Sequence, residues 1–183
     1  YRVRARNEKG YSPWGDEFRV STLLGPWRNE LGALGTITWT GGDEAGALKY
    51  ATDHSLRGLF FAADDVVTDR LPFIFDFGAV YELYKFEYYP RDSYGSGTVK
   101  RMNVYSSLDN VHWNLEWNGK ENEEWSYDEN REVDENKKTV NLEGVSARYL
   151  KLTIVESKKN FFAAHELSVY KKDGSKPFAV GST

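Results

Sequence analysis

Cysteine is absent from the 183-residue chain, and methionine occurs once. That excludes a disulfide framework and thiol chemistry, but it leaves the compartment open, because many secreted bacterial proteins also lack cysteine. A run of about 18 apolar residues is missing as well, so no membrane-spanning helix is encoded. No signal peptide is visible; the chain opens within a strand-like pattern, and any export signal is expected upstream of it. Basic stretches are also lacking: 24 Lys and Arg stand against 28 Asp and Glu, a net charge of −4. Nucleic acid and anionic membranes are therefore not expected as partners, since both require clustered cations. The motifs of catalysis are equally sparse. The three histidines, His54, His112 and His165, have no metal-ligand spacing, and there is neither a nucleophile elbow nor a phosphate-cradling glycine loop. Adjacent acids such as Asp64–Asp65 and Glu123–Glu124 read as solvated surface, whereas a glycosidase pair must be poised about 5–10 Å apart in a cleft. Binding rather than catalysis is the expected role.

What the chain does have is aromatic residues: 6 Trp, 12 Tyr and 10 Phe, within a 40% hydrophobic total. Flat and branched side chains pack well on pleated surfaces, and the amount is enough for one real core. Short apolar runs alternate with polar, glycine- and Asx-rich turns, a pattern that predicts an all-β domain. Strands are expected at residues 35–39, 71–77, 82–89, 98–106, 113–117, 138–142, 148–155 and 166–170. In two of them apolar Tyr84, Phe86, Tyr88 and Leu150, Leu152, Ile154 alternate with polar neighbours, as in a sheet with one wet face. Residues 118–138 break the pattern. This acidic stretch reads as a surface excursion around Trp125 and Tyr127, whose rings either form a second contact surface or pack the excursion onto the domain.

The opening segment alternates Tyr-Arg-Val-Arg-Ala-Arg-Asn over residues 1–7 and turns between Asn7 and Gly10. It resembles the last two strands of a fibronectin type III domain, and two strands cannot bury a core. The expected organisation is therefore a fibronectin type III remnant at 1–22, a linker at 23–34, a β-sandwich at 35–173 and a tail or linker to a following domain at 174–183.

Four ordered pieces carry a second resemblance: Ala51-Thr-Asp53 followed by Phe60 and Phe61; Pro72-Phe-Ile-Phe-Asp-Phe-Gly78; Tyr89-Pro-Arg91 followed by the run 97–106, Asp109 and Trp113; and Ala147-Arg-Tyr-Leu-Lys-Leu152 followed by Ala164-His-Glu-Leu-Ser-Val-Tyr170. Together they are similar to the discoidin family and, within it, to bacterial family 32 carbohydrate-binding modules. The resemblance implies a galactose-binding-like, eight-stranded jelly-roll β-sandwich with binding loops at one end. It also implies a non-catalytic accessory module of a multimodular protein, extracellular, on the cell surface or periplasmic. The implied partners are glycans, through terminal sugars of host or dietary polysaccharide, and neighbouring domains of the same chain.

The family places a loop aspartate and a glutamate on one calcium ion, which here would be Asp53 and Glu166, with backbone carbonyls completing the oxygens that Ca²⁺ requires. This chain has His54 where the family has glycine and Gly58 where it has a hydroxyl-bearing threonine, so Asp53 as a simple turn cap stays open as an alternative. For sugar contact the resemblance implies Arg91, whose guanidinium either meets vicinal hydroxyls or braces its own loop. Phe61 stands where the family has histidine, and Ser96 where it has asparagine. Phe161 and Phe162 fall where the family presents an aromatic platform, with at most one facing the ligand. Trp113 is expected in the core. The rival reading is a structural or protein-interaction spacer that has kept the fold and lost the site.

Overall fold

The computed structural model describes residues 6–7, 10–11, 30–31, 36–39, 48–62, 67 and 72–173. The strands are β1 Arg6–Asn7, β2 Gly10–Tyr11, β3 Thr36–Trp39, β4 Phe60–Ala62, β5 Phe73–Tyr89, β6 Val99–Ser107, β7 Asn114–Trp117, β8 Lys138–Asn141, β9 Ser146–Ser157, β10 Phe162–Ala164 and β11 Glu166–Lys171. Helical structure among the described residues is confined to 3₁₀ turns at 48–51 and Lys158–Asn160. The chain forms the all-β, galactose-binding-like sandwich that its sequence predicts.

β5 organises the sandwich. Its first part, Phe73 to Asp76, lies between β3 and β9, and its last part, Lys85 to Tyr88, lies between β11 and β8. The register slips between Asp76 and Tyr81, and Gly78 has φ +75°, a left-handed backbone that glycine adopts without steric cost. The irregularity bends the strand from one layer into the other. The two strands expected at 71–77 and 82–89 are therefore one. β9 continues through β6 to the edge strand β7, and these pairings are antiparallel.

The core follows from alternation along these strands. Phe73 and Phe75 of β5, Leu150, Leu152 and Ile154 of β9, and Met102 and Val104 of β6 are buried. So are Phe86 and Tyr88 of β5, Val140 of β8, and Leu167 and Val169 of β11. Tyr84 departs from the expected alternation and is exposed, while Glu87 is buried with its carboxylate held by Lys85 Nζ at 2.6 Å and the Tyr89 hydroxyl at 2.9 Å. Two strands of three residues, β4 and β10, carry no mark in the sequence; they pair Phe60 with Ala164, Phe61 with Ala163 and Ala62 with Phe162. Three residues are too few to show a period.

Two expectations need correction. Glu30 and Leu31, placed in a linker, belong to the sandwich: both are buried, Glu30 forms a β-bridge with Tyr170, and the Leu31 amide donates to the Val169 carbonyl at 2.6 Å. Trp113 is half-buried rather than core, because it lies just before β7 at the edge of the sheet, where Lys151 Nζ sits 4.3 Å from the centre of its ring. At the N-terminus, Arg6–Asn7 and Gly10–Tyr11 pair as antiparallel strands. The rest of the expected remnant, Asp64 and Asp65, and the tail at 174–183 lie outside the described residues.

Candidate functional site

Three chain segments meet at one end of the sandwich: β4, the loop 90–98 after β5, and the turn 158–161 before β10. Their junction is Gly97. Its amide donates to the Lys158 carbonyl and its carbonyl accepts from the Ala163 amide, both at 2.9 Å. A Cβ at this position would lie 2.8 Å from the backbone of Phe162 and Ala163, and φ is +91°. Only glycine tolerates both the approach and the dihedral. Tyr88 adds a second tie from inside the core: its hydroxyl donates to the Ala163 carbonyl at 2.7 Å and accepts from the Val99 amide at 3.2 Å. Burial pushes that phenol above its ordinary pKa, so it stays a donor.

The residues expected to touch sugar are thereby gathered, but they are not equivalent. Phe162 is fully buried, its ring 4.5 Å from that of Phe73 and 5.9 Å from that of Phe60. That removes it as a ligand contact and corrects its assignment: pairing with β4 turns Phe162 into the aromatic cluster of the core. Phe161 is partly exposed just outside the strand, its carbonyl held by the Ser157 hydroxyl at 2.6 Å. Arg91 is half-buried, and its Nη1 donates to the Ser96 carbonyl at 2.9 Å, so it shapes the loop whatever else it touches. Ser96 is half-buried in the same turn. The backbone of Phe61 lies in β4; its side chain is outside the described residues. Tyr94, Lys159 and Asn160 all have positive φ, at 44°, 61° and 57°. Left-handed non-glycine residues are uncommon, and here they cluster in the converging loops.

The acidic excursion resolves in favour of packing. Trp125 stacks on Tyr88 with centroids 5.9 Å apart, and Tyr127 stacks on Tyr94 at 5.7 Å. The Asn136 side-chain amide donates to the Tyr94 hydroxyl at 2.8 Å, and Lys158 Nζ donates to the Tyr94 carbonyl. The excursion therefore buttresses the Arg91 loop. Tyr94 is the residue that sequence reading misses, because nothing in a lone tyrosine within a polar turn signals burial.

Asp53 and Glu166 are placed differently from one another. Asp53 is exposed and its Oδ1 caps the turn, accepting from the Ser55 amide at 2.9 Å. Glu166 is buried and its Oε2 accepts from the His54 amide at 3.1 Å. Burial, then the charges of Glu30 and Asp53, push the Glu166 carboxyl up to about 9, against the opposing pull of the His54 and Ser55 amides. Glu166 thus ties the loop backbone to the start of the last strand. Position 58 offers no hydroxyl, and a Cβ there would lie 2.9 Å from Cδ1 of Tyr50. The loop thus lacks the glycine and the threonine hydroxyl that the resemblance implies around calcium.

The model of the F5/8 type C domain matches residues 38–167, most of the chain. The chain belongs to the F5/8 type C domain family. A solved relative of this F5/8 type C domain is the module CBM32-1 of a family 31 glycoside hydrolase from Clostridium perfringens; identity is 29%, with 80% of this chain and 100% of that one covered and a TM-score of 0.67. Two more distant structures share the fold. A Clostridium perfringens module solved with GalNAc-β-1,3-galactose is 21% identical, covering 77% and 99% with a TM-score of 0.59. The family 32 module of NanJ from C. perfringens, solved with galactose, is 18% identical, covering 78% and 98% with a TM-score of 0.56. No curated protein matches the chain.

Proposed function

We propose that this domain is a non-catalytic carbohydrate-binding module that takes a terminal sugar at the end where Arg91, Ser96 and Phe161 converge. The observation that carries the reading is the Gly97 junction, which fixes the Arg91 loop against the Phe161 turn through two 2.9 Å backbone hydrogen bonds. A sugar offers a face of C–H groups for the Phe161 ring and hydroxyls for the guanidinium. Family membership and the sugars held by two distant relatives support the class of ligand. The setting proposed with it is a multimodular secreted or cell-surface protein, in which a fibronectin type III domain precedes this one and the module tethers its neighbours to glycan.

Calorimetric titration against a panel of terminal galactose, N-acetylgalactosamine and related glycans tests the reading. Arg91→Ala and Phe161→Ala are each expected to weaken binding at least about tenfold, equivalent to about 1.4 kcal/mol. A chain that binds no glycan in the panel supports the second reading, a spacer with a lost site. The observation favouring that alternative is the hydrogen bond from Arg91 to Ser96 within its own loop.

A further inference from the structure

The loop 52–58 stands where the family resemblance implies a bound cation, yet its polar groups are already joined to one another and to the last strand. His54 Nε2 lies 2.6 Å from Glu30 Oε2, with the Glu30 carboxylate buried. The other oxygen of Glu30 accepts from the Val169 amide of β11 at 3.2 Å. The His54 amide meets Glu166, at the start of the same strand, at 3.1 Å. At the far end of the loop, the Gly58 carbonyl accepts from His165 Nδ1. A metal ion in this family would tie the loop to the last strand through carboxylate and carbonyl oxygens. Here the same tie runs through hydrogen bonds, and a segment from before the first long strand joins it.

Two features set this arrangement apart from an ordinary turn. His54 adopts φ +58°, where a non-glycine residue is disfavoured and where the family has glycine. The side chain is thus kept at a backbone cost, and what it gains is a 2.6 Å contact with the buried carboxyl of Glu30. Second, the space beside Gly58 that a threonine would need is taken by Tyr50, whose Cβ, Cγ and Cδ1 all lie within 3.1 Å of the added Cβ position. The Tyr50 ring and the His54 side chain occupy, at the same loop, the places of the two residues that a calcium loop requires.

We propose that a clasp of His54 and Glu30 fastens this loop to β11 in place of a metal ion, so that the domain folds and binds independently of calcium. Thermal unfolding of the whole chain, recorded in excess EGTA and in millimolar calcium chloride, is the first test. The midpoint is expected to agree within about 1 °C, because an ion with no site on the folded state adds no stability, and titration of calcium chloride into the chelator-treated protein is expected to release no binding heat. A midpoint that rises with calcium, or a saturable heat, overturns the proposal.

His54→Gly separates a clasp from a strained turn. Glycine relieves the left-handed backbone, so a residue that merely turns the chain would give a higher midpoint on replacement. The clasp predicts a midpoint lower by about 2–4 °C. Glu30→Gln is expected to produce a similar fall, and the double variant to fall no further than the larger single one, as partners in one interaction do. Additive falls, or a rise with His54→Gly, overturn the clasp. Should either variant fail to fold, the EGTA and calcium comparison on the unchanged chain still decides whether a metal is needed.

Discussion

The loop 52–58 and the loop 90–98 both depart from the same family pattern, and they answer the change differently. In the first, His54 and Gly58 alter the chemistry of the loop itself: amide hydrogens face the Glu166 carboxyl and an imidazole reaches Glu30. In the second, Ser96 stands in place of asparagine, while the backbone frame of Gly97, Lys158 and Ala163 stays closed. A loop whose geometry rests on side chains must find new partners when those change. One whose geometry rests on backbone hydrogen bonds keeps its shape and is free to change what it presents.

The largest expected loss comes from the frame of the second loop. Phe162→Ala is expected to cost about 3–5 kcal/mol in denaturant unfolding, because it empties the aromatic cluster behind the loops. Phe161→Ala, one residue away, should stay within about 1 kcal/mol while weakening sugar binding. Equal losses from the two would break the assignment of one to the core and the other to the rim. Gly97→Ala comes next, at about 2–4 kcal/mol, since it combines a left-handed residue with overlap against rigid backbone. Gly58→Ala presses on Cβ, Cγ and Cδ1 of the exposed Tyr50 side chain rather than on backbone, and should cost less, about 1–2 kcal/mol. Reversal of that order would mean that the first loop, not the second, carries the rigid frame.

Smaller effects sharpen the picture. Tyr127→Phe removes the hydroxyl that donates to the Val99 carbonyl at 2.5 Å and should cost about 1 kcal/mol. A larger fall would show that the excursion holds the loop end rather than merely buttressing it. The smallest change belongs to neither loop. Arg148 donates through Nε and Nη2 to Asp76 at 2.8 and 2.9 Å, which holds that carboxyl below its ordinary 3.8. A carboxyl lowered on folding adds stability above its unfolded pKa and loses it as pH falls through the folded value. Asp76→Asn should therefore lower the unfolding midpoint slightly at neutral pH and flatten its fall below about pH 4, so that the two proteins converge in acid. Unaltered slope after the substitution would remove the pair from the account.

Much of the fold is legible in residue order. Short apolar runs between polar turns expose β6, β9 and β11, and the ordered motifs locate the Arg91 loop and the strand carrying Glu166. The three-residue strands β4 and β10 are not legible, and neither is the passage of β5 between layers, because a bend at Gly78 resembles a turn until the register on both sides is known. The site is partly legible. Arg91, Ser96 and Phe161 can be named from motif position, whereas Tyr94 and Glu30 cannot, since each acquires its role from a partner far along the chain.

By itself, the sequence determined the class of the protein: aromatic-rich alternation that only sheets can bury, no catalytic spacing, and the motifs of one family in order. The tertiary structure decided the rest. Whether Phe161 or Phe162 faces inward depends on the pairing of β10 with β4, and whether His54 strains a turn or closes a clasp depends on Glu30, 24 residues away, reaching it with a buried carboxylate. Local pattern fixes which faces are apolar. Contacts between distant segments fix which polar groups find one another, and it is those contacts that tie loop 52–58 to the last strand.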